Sequence, residues 1–327
     1  MRRWWHRWFR TPGELEAMGV VGINMRNARF ILPNNPRRLY DLVDNKIRAK
    51  ALAEQRGIAV PDTYGIVRSP KEIRRLDRML GDHDSFVIKP ARGSGGKGIL
   101  VVSGKDDDRF VKPSGSVISL DGVRFHLQNI LAGLFSLGGK RDVALIEYRV
   151  KPARVMTELS FQGAPDVRVV IFRGYPVMAM LRASTRESDG RSNLHQGALG
   201  IGVDIATGRT IHAIHHGRAV TTHPDLKVPL IGVQLPEWDR ILDIAVTCQE
   251  MTGLGYLGVD MMIDEDRGPM MIEVNARPGL AIQLANGVGL LKRLRPTDER
   301  AKKFPDEELR DKIAFSRNTF AARIVGA

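Results

Sequence analysis

Four glycines in six residues interrupt two runs that both read as β-strand. The stretch is Phe86 to Val102, FVIKPARGSGGKGILVV. Phe86 and Ile88 alternate with Val87 and Lys89, the period of a half-buried strand. Ile99 to Val102 is a second apolar strand. Gly93, Gly95, Gly96 and Gly98 stabilise neither, since each costs backbone entropy. Their use is to bring main-chain N–H groups close to a guest, and a phosphate chain suits such a nest. Lys89 at the loop entrance and Lys97 within it add positive charge, and Ser94 lies between. A P-loop is excluded, because Ala91 stands where its first glycine belongs and Gly98 where Ser/Thr belongs. A dinucleotide fingerprint would open a helix, and here a strand follows. In protein kinases the glycine loop precedes the lysine strand, the reverse of this order. The remaining alternative is a surface hairpin without a guest.

A second stretch, GYLGVDMMIDEDRGPMMIEVNARPG from Gly255, reads as a hairpin. A turn at Glu265 to Gly268 would pair Asp264 with Pro269. Asp260 then falls opposite Glu273, with Asn275 two residues on and on the same face. The other face becomes Val259, Met261 and Ile263 against Met270, Ile272 and Val274. The register that buries these residues therefore also gathers two carboxylates and an amide. Opposed carboxylates repel, and hard oxygen donors invite Mg²⁺, which completes its shell with water and substrate phosphates. The alternative is a solvated polar face. Arg277 follows beside the Pro278-Gly279 turn. A phosphate nest and a metal face together describe a cleft for ATP and Mg²⁺ between two lobes.

The rest of the chain fits such a cleft. Its 327 residues are enough for two or three packed lobes, and at 43% hydrophobic it can bury them. There is no apolar run near 18 residues. A single Cys248 excludes an internal disulfide and a cysteine metal cluster. The net charge of +13 calls for an anionic partner. No nucleic-acid motif is present, and 6% aromatics is low for a stacking platform, so no nucleic acid is expected. Residues 1–10, MRRWWHRWFR, combine arginines with aromatics and suggest peripheral membrane contact, against a frayed or self-packed terminus. Arg37 and Arg38 follow the Asn35-Pro36 turn and read as a basic loop. Asp44 is expected to cap a helix from about Asn45 to Arg56, stopped by Gly57, with Ile47, Ala51 and Leu52 as its apolar stripe. Lys46 in its first turn is unfavoured by the helix dipole, which hints at function.

A strand is expected near Thr63 to Val67 and a charged helix near Pro70 to Leu80. Residues 103–140 read as an insertion: a solvated turn at Asp106 to Asp108, then a packed helix over Phe125, Leu127, Ile130, Leu131, Leu134 and Phe135. Gly138-Gly139 would end that helix, and His126 and Asn129 read as bystanders. Val143 to Val150 is a strand carrying Glu147 and Tyr148. A strand at Val167 to Phe172, a turn from Arg173 to Pro176 and a strand at Val177 to Arg182 would place Arg168 opposite Arg182, a repulsion unless an anion joins them. Asp166 shares the face of Arg168. His195, in the loop from Ser192 to Gly197, has no second metal ligand by spacing. Pro236 to Thr252 is an amphipathic helix buried through Trp238, Ile241, Leu242, Ala245 and Met251, with Cys248 near that stripe.

In order along the chain, LVDNK, VIKPARGSGGKGI, IEY, PDVRVV, RSNLHQG, GYLGVD and EVNARPGL resemble the ATP-grasp superfamily. They are most similar to the RimK-type glutamate ligases, in their alpha-L-glutamate ligase-like branch, over roughly residues 40–290. The resemblance implies an α/β (α+β) ATP-grasp fold, two α+β lobes with ATP held between them. It implies that Lys46 and Lys89 bind ATP phosphates beneath the loop from Gly93 to Gly98, and that Glu147 and Tyr148 meet the adenine. Asp166 matches the acid at the ribose. Asp260, Glu273 and Asn275 match Mg²⁺ ligands, with Mn²⁺ as an alternative ion. Arg168, Arg182, Asn193 and Arg277 match positions around the transferred phosphate and the carboxylate substrate. The implied reaction is ATP-dependent carboxylate–amine ligation through an acyl phosphate, with glutamate or an acidic peptide as a substrate. The alternative is an ATP-binding regulatory or membrane-peripheral module without turnover.

Two departures from the family stand out: 45 residues precede Lys46 where a full N-terminal α/β domain is usual, and the stretch from Val102 to Glu147 is long. The expected division is a basic segment at 1–40, a small lobe at 41–150, a large lobe at 151–295 and a charged tail at 296–327. A cytoplasmic protein, membrane-associated at the inner face if residues 1–10 serve that purpose, is expected, and an oligomer is compatible with it.

Overall fold

The structure is a computed structural model and describes residues 10–322 apart from Ser94 and Asp108. The expectations for residues 1–9 and for Ser94 therefore lie outside the described residues. Strands β1 (Thr63–Val67), β2 (Phe86–Pro90) and β3 (Leu100–Val102) form one sheet with a later strand. Three short strands, β4 (Gly104–Asp106), β5 (Arg109–Val111) and β6 (Val117–Ser119), form a second. Strand β7 (Ala144–Glu147) completes the first, in the order β1–β7–β2–β3. The third sheet holds β8 (Asp166–Phe172), β9 (Tyr175–Ala183), β10 (Leu199–Val203), β11 (Thr210–His215), β12 (Arg218–Ala219), β13 (Tyr256–Asp264) and β14 (Gly268–Asn275). Its order is β12–β11–β10–β9–β8–β13–β14, and every pairing is antiparallel. Antiparallel sheets with helices laid against them make the fold α+β.

The large sheet is buried on both faces. Val167, Val169 and Ile171 pack with the helix Trp238–Thr252 through Ile241, Ala245 and Cys248. Full burial of a side chain such as Ile241 stabilises by about 1.5–3 kcal/mol, so a charge there would break the layer. The alternate residues Val170, Phe172, Met178 and Met180 face Val21, Phe30, Ile31 and the C-terminal helices Ile282–Asn286, Leu291–Lys303 and Leu309–Phe320. The smaller four-stranded sheet buries Phe86, Ile88, Leu100 and Val102 against Val123, Leu127 and Ile130 of the helix Leu120–Leu131. Tyr148, Val150 and Met270, with Tyr64, Met262 and Ile272, form a small apolar patch where the two sheets meet.

Several local expectations are corrected. Asn45, not Asp44, caps the helix Lys46–Gln55, its side chain accepting from Ile47 and Arg48 N–H; Asp44 ends the preceding helix Tyr40–Asp44. The buried face of that helix is Ala49, Lys50 and Ala53, while Ala51 is exposed. The charged helix near Pro70 is two short ones, Pro70–Ile73 and Leu76–Leu80. The insertion at 103–140 contains the three-stranded sheet before its helix, which stops at Leu131 with Gly133 at φ +85°. Phe125 and Leu134 are exposed rather than packed. Within 296–322, expected as a tail, lie the end of the helix Leu291–Lys303 and the helix Leu309–Phe320, which bury Thr297, Ile313 and Phe320. Alternating charge hid that apolar spacing.

Both site-bearing hairpins differ from expectation near their turns. Arg173 at φ +50° and Gly174 at φ +87° form a two-residue turn, so β9 begins at Tyr175. Left-handed pairs of this kind match the strand twist. A bulge beyond Val170 adds one residue on β9, so that Asp166 falls opposite Arg182 and Arg168 opposite Met180; the two arginines are not cross-strand partners, and the anion that joins them is the Asp260 carboxylate. In the last hairpin Asp264 pairs with Gly268 across a three-residue turn, because the Asp264 carboxylate accepts from the N–H groups of Asp266 and Arg267 at 3.0 and 3.1 Å. A bulge between Asp260 and Met261 then restores Asp260 opposite Glu273. It also gives the core Met271 in place of the expected Ile272 and Met270, which turn to the patch beside Tyr148.

Candidate active site

One face of β13 reads, in order, Tyr256, Gly258, Asp260, Met262 and Asp264. Tyr256 sits in the core beneath the C-terminal helices, and Met262 lines the apolar patch between the sheets. Asp260 lies between these two apolar regions and is 5% exposed. A carboxylate there must be paired. Arg168, opposite it on β8, donates Nε to Oδ1 and Nη2 to Oδ2, both at 2.6 Å. Arg182 donates to Oδ2 at 2.9 Å, and Asn275 does so at 3.2 Å. Arg182 also grips Asp166 in a fork at 2.5 and 2.8 Å. Two guanidiniums and two carboxylates thus interlock across β8, β9 and β13, in the planar bidentate geometry that arginine provides. Burial would raise Asp260, but the charges of Arg168 and Arg182 outweigh it and hold the carboxyl at about 2. Burial dominates at Asp166, which rises to about 6 despite Arg182, with the charge of Asp260 adding to the rise.

The glycine hairpin closes as expected, Phe86 pairing with Val102 and Ile88 with Leu100. Gly95, Gly96 and Gly98 take φ of +64°, +76° and +76°, and Gly95, Gly96 and Lys97 are exposed. Side chains have no room at Gly98, where a Cβ would lie 2.5 Å from the Phe135 ring. The loop base is held by residues the sequence left unassigned. Asp142 accepts from the N–H of Arg92 and from the Ser136 hydroxyl, and His126 meets the Gly98 carbonyl at 3.0 Å. His126 is therefore no bystander.

Below the loop, Glu147 and Lys89 form a buried ion pair, which Lys50 joins from 3.3 Å. Burial lowers the Lys50 pKa, against the raising pull of Glu147. Sequence reasoning missed Lys50. The signal was present: Lys46 and Lys50 are four apart on one helix, a like-charge spacing that costs stability unless something answers it. Lys46 joins the two halves. Its Nζ donates to the Gly93 carbonyl at 2.8 Å and lies 3.4 Å from Glu273 Oε2.

Tyr148 packs in the apolar patch and donates its hydroxyl to Asp264 at 2.9 Å, with the Arg267 guanidinium 4.1 Å from its ring centre. Two predicted residues stand apart. Asn193 caps the short helix Leu194–Gln196 by accepting from the N–H of His195. Arg277 stacks 4.9 Å from the ring centre of Tyr40. Among the described residues, no hydrogen bond or ion pair joins either to the Asp260 cluster.

Asp260, Glu273 and Asn275 suit a hard cation by donor type. Asp260 Oδ2 is taken by three protein donors, while Oδ1 accepts only from Arg168 Nε and is the oxygen left to an ion. Glu273 is more open, with one lysine at 3.4 Å, and Asn275, donating its amide to Asp260, keeps a carbonyl oxygen to offer.

A family model described as "Sugar-transfer associated ATP-grasp" matches residues 25–299. The chain belongs to the sugar-transfer associated ATP-grasp family. That match covers both the glycine hairpin and the carboxylate hairpin. The chain is also 25% identical over 247 residues to a protein of Enterobacter sp. (strain 638) named "Probable alpha-L-glutamate ligase", covering 75% of this chain and 60% of that one. A protein of the same name from Thioalkalivibrio sulfidiphilus is 26% identical over 288 residues, covering 87% and 73%. This ATP-grasp chain thus spans about three fifths of the first of these relatives. Among solved structures, D-cycloserine synthetase DcsG aligns with a TM-score of 0.45 at 15% identity, over 81% of this chain and 72% of that one. D-alanine–D-alanine ligase from Bacillus anthracis, complexed with ATP, aligns at 0.43 and 17%, over 86% and 67%.

Proposed function

We propose that this protein is an ATP-dependent carboxylate–amine ligase that works through an acyl phosphate. Lys46 carries the reading: one side chain bridges the glycine loop at Gly93 and the carboxylate site at Glu273, so a phosphate chain cradled by the loop ends at the metal face. Lys89, Lys46 and the loop N–H groups bind the phosphates. Tyr148 and the patch around Met270 and Ile272 receive the base, and Asp166 the ribose. Asp260, Glu273 and Asn275 hold Mg²⁺, or Mn²⁺ in its place, which when bound neutralises phosphate charge. Arg168, Arg182, Asn193 and Arg277 serve the transferred phosphate and the carboxylate substrate. That substrate attacks the γ-phosphorus; an O–P bond forms, the β–γ bridge breaks and ADP leaves. An amine then attacks the acyl carbon, loses a proton and expels phosphate. Such chemistry asks the protein for position and charge more than for a nucleophile.

Glutamate is the first acyl donor or acceptor to test, given the names of the relatives. The family name adds amino sugars to the amines worth trying. The lobe division at 41–150 and 151–295, cytoplasmic placement, membrane contact through residues 1–10 and oligomerisation belong to the same proposal. The decisive test is ADP release from Mg²⁺-ATP with amino acids and amino sugars added singly and in pairs, products weighed by mass spectrometry. A product one water lighter than its two components establishes the ligase. Nucleotide binding without turnover on any pair would favour the regulatory reading. Lys89→Ala should weaken ATP binding, and Glu273→Gln should stop ligation with the fold intact; full activity in either removes that residue from the site.

A further inference from the structure

Away from the cleft, two consecutive histidines lie at the edge of the large sheet. His215 ends β11, and His216 opens the turn to β12 with Gly217. Neighbouring strand residues normally point to opposite faces. His216 escapes this by taking φ +50°, beside Gly217 at φ +72°, which brings its ring centre within 4.3 Å of that of His215. Glu187 reaches the same point from the loop after β9. Its Oε2 is 2.7 Å from His216 Nε2 and 3.8 Å from His215 Nε2. One ligand atom from each of the three residues lies within 4.8 Å of the others.

We propose that Glu187, His215 and His216 bind a transition-metal dication of the zinc type, independently of the carboxylate site in the cleft. Two imidazoles and a carboxylate with a fourth position left to water are a donor set zinc accepts. Imidazole nitrogen favours zinc over Mg²⁺ and Ca²⁺, which prefer oxygen. Ligands about 2.0–2.2 Å from one zinc ion stand roughly 3–3.5 Å apart in a tetrahedron, and the two measured separations bracket that span. A Glu187–His216 hydrogen bond accounts for the shorter contact and the Gly197 carbonyl for the orientation of the second ring; the convergence of three ligand atoms within 4.8 Å is what points to an ion.

The surroundings suit the role. His215 Nε2 lies 3.0 Å from the Gly197 carbonyl. That nitrogen is the one that faces Glu187, so an ion bound there takes the place of this contact. Glu187 packs against Gly197 itself, where a Cβ would lie 2.8 Å from its carboxyl carbon. Gly197 closes the loop whose other end is Asn193. Arg218, opposite His215 on β12, is exposed.

The test uses the full chain, stripped with chelator and titrated with Zn²⁺ against a chromogenic competitor. ATP affinity, read separately, reports on the fold. One equivalent should bind to the wild type. His216→Ala and Glu187→Gln should each weaken it about tenfold or more while ATP affinity stays unchanged. Millimolar Mg²⁺ should not displace it. Absence of zinc binding overturns the proposal, as does wild-type affinity in both variants, which would place the zinc elsewhere.

Discussion

Two buried clusters, each built on a pair of cations, answer their charge differently. On the large sheet, Arg168 and Arg182 meet Asp166 and Asp260, two against two. Under the glycine loop, Lys50 and Lys89 share the single carboxylate of Glu147. The first cluster is balanced within the protein and fixed by bidentate geometry. The second keeps a positive charge beside the loop. A balanced frame suits positioning; an unbalanced one suits an anionic guest. Charge left over in a buried place is destabilising, and a phosphate chain would remove that penalty on binding.

The largest expected effect comes from breaking the balanced cluster. Asp260→Ala strands Arg168, and removal of one partner from a buried pair costs about 3–5 kcal/mol. Urea unfolding at pH 7 should show a loss of that order, and no loss would mean the arginines find water instead. Glu147→Gln should follow at about 3 kcal/mol, leaving two lysines facing each other.

Lys50→Met sharpens the comparison. It should move stability by less than about 1 kcal/mol, because Glu147 keeps Lys89 as its partner and no buried charge is left unpaired. Yet it should weaken ATP binding, since Glu147 then cancels Lys89 alone; unchanged affinity would refute the role of the surplus charge.

The pH profile separates the two aspartates of the balanced cluster. Asp166 rises from 3.8 to about 6 in the fold, so its folded form keeps a proton that the unfolded chain has lost. Its contribution is full below pH 3.8 and lost as pH rises through about 6. Asp260 is lowered to about 2, so its contribution is present above 3.8 and lost as pH falls toward 2. Asp166→Asn should flatten the stability profile between about pH 4 and 6 and leave the acid limb in place. A profile unchanged in that window would show that Asp166 is not the group responsible. Tyr148→Phe should cost about 1 kcal/mol for one hydrogen bond to Asp264, read from the same unfolding curves.

The amino-acid order alone determined the glycine hairpin and the helix Trp238–Thr252; the Asp260–Glu273 pairing is anticipated from it, but the structure reaches it through a shorter turn and a bulge. Each rests on a local rule: period-two alternation, a glycine run, a helical apolar stripe. It did not determine the register of β8 against β9. A left-handed two-residue turn at Arg173 and Gly174, followed by a bulge beyond Val170, put Asp166 opposite Arg182. It also missed Lys50, whose partner lies 97 residues away, and Glu187, whose meeting with His215 and His216 depends on an edge turn. Side chains that read as solvated when only neighbours in sequence are considered become paired or bridging once distant strands are adjacent. Buried charge is stable only with a partner, and the partner's place is set by the tertiary fold.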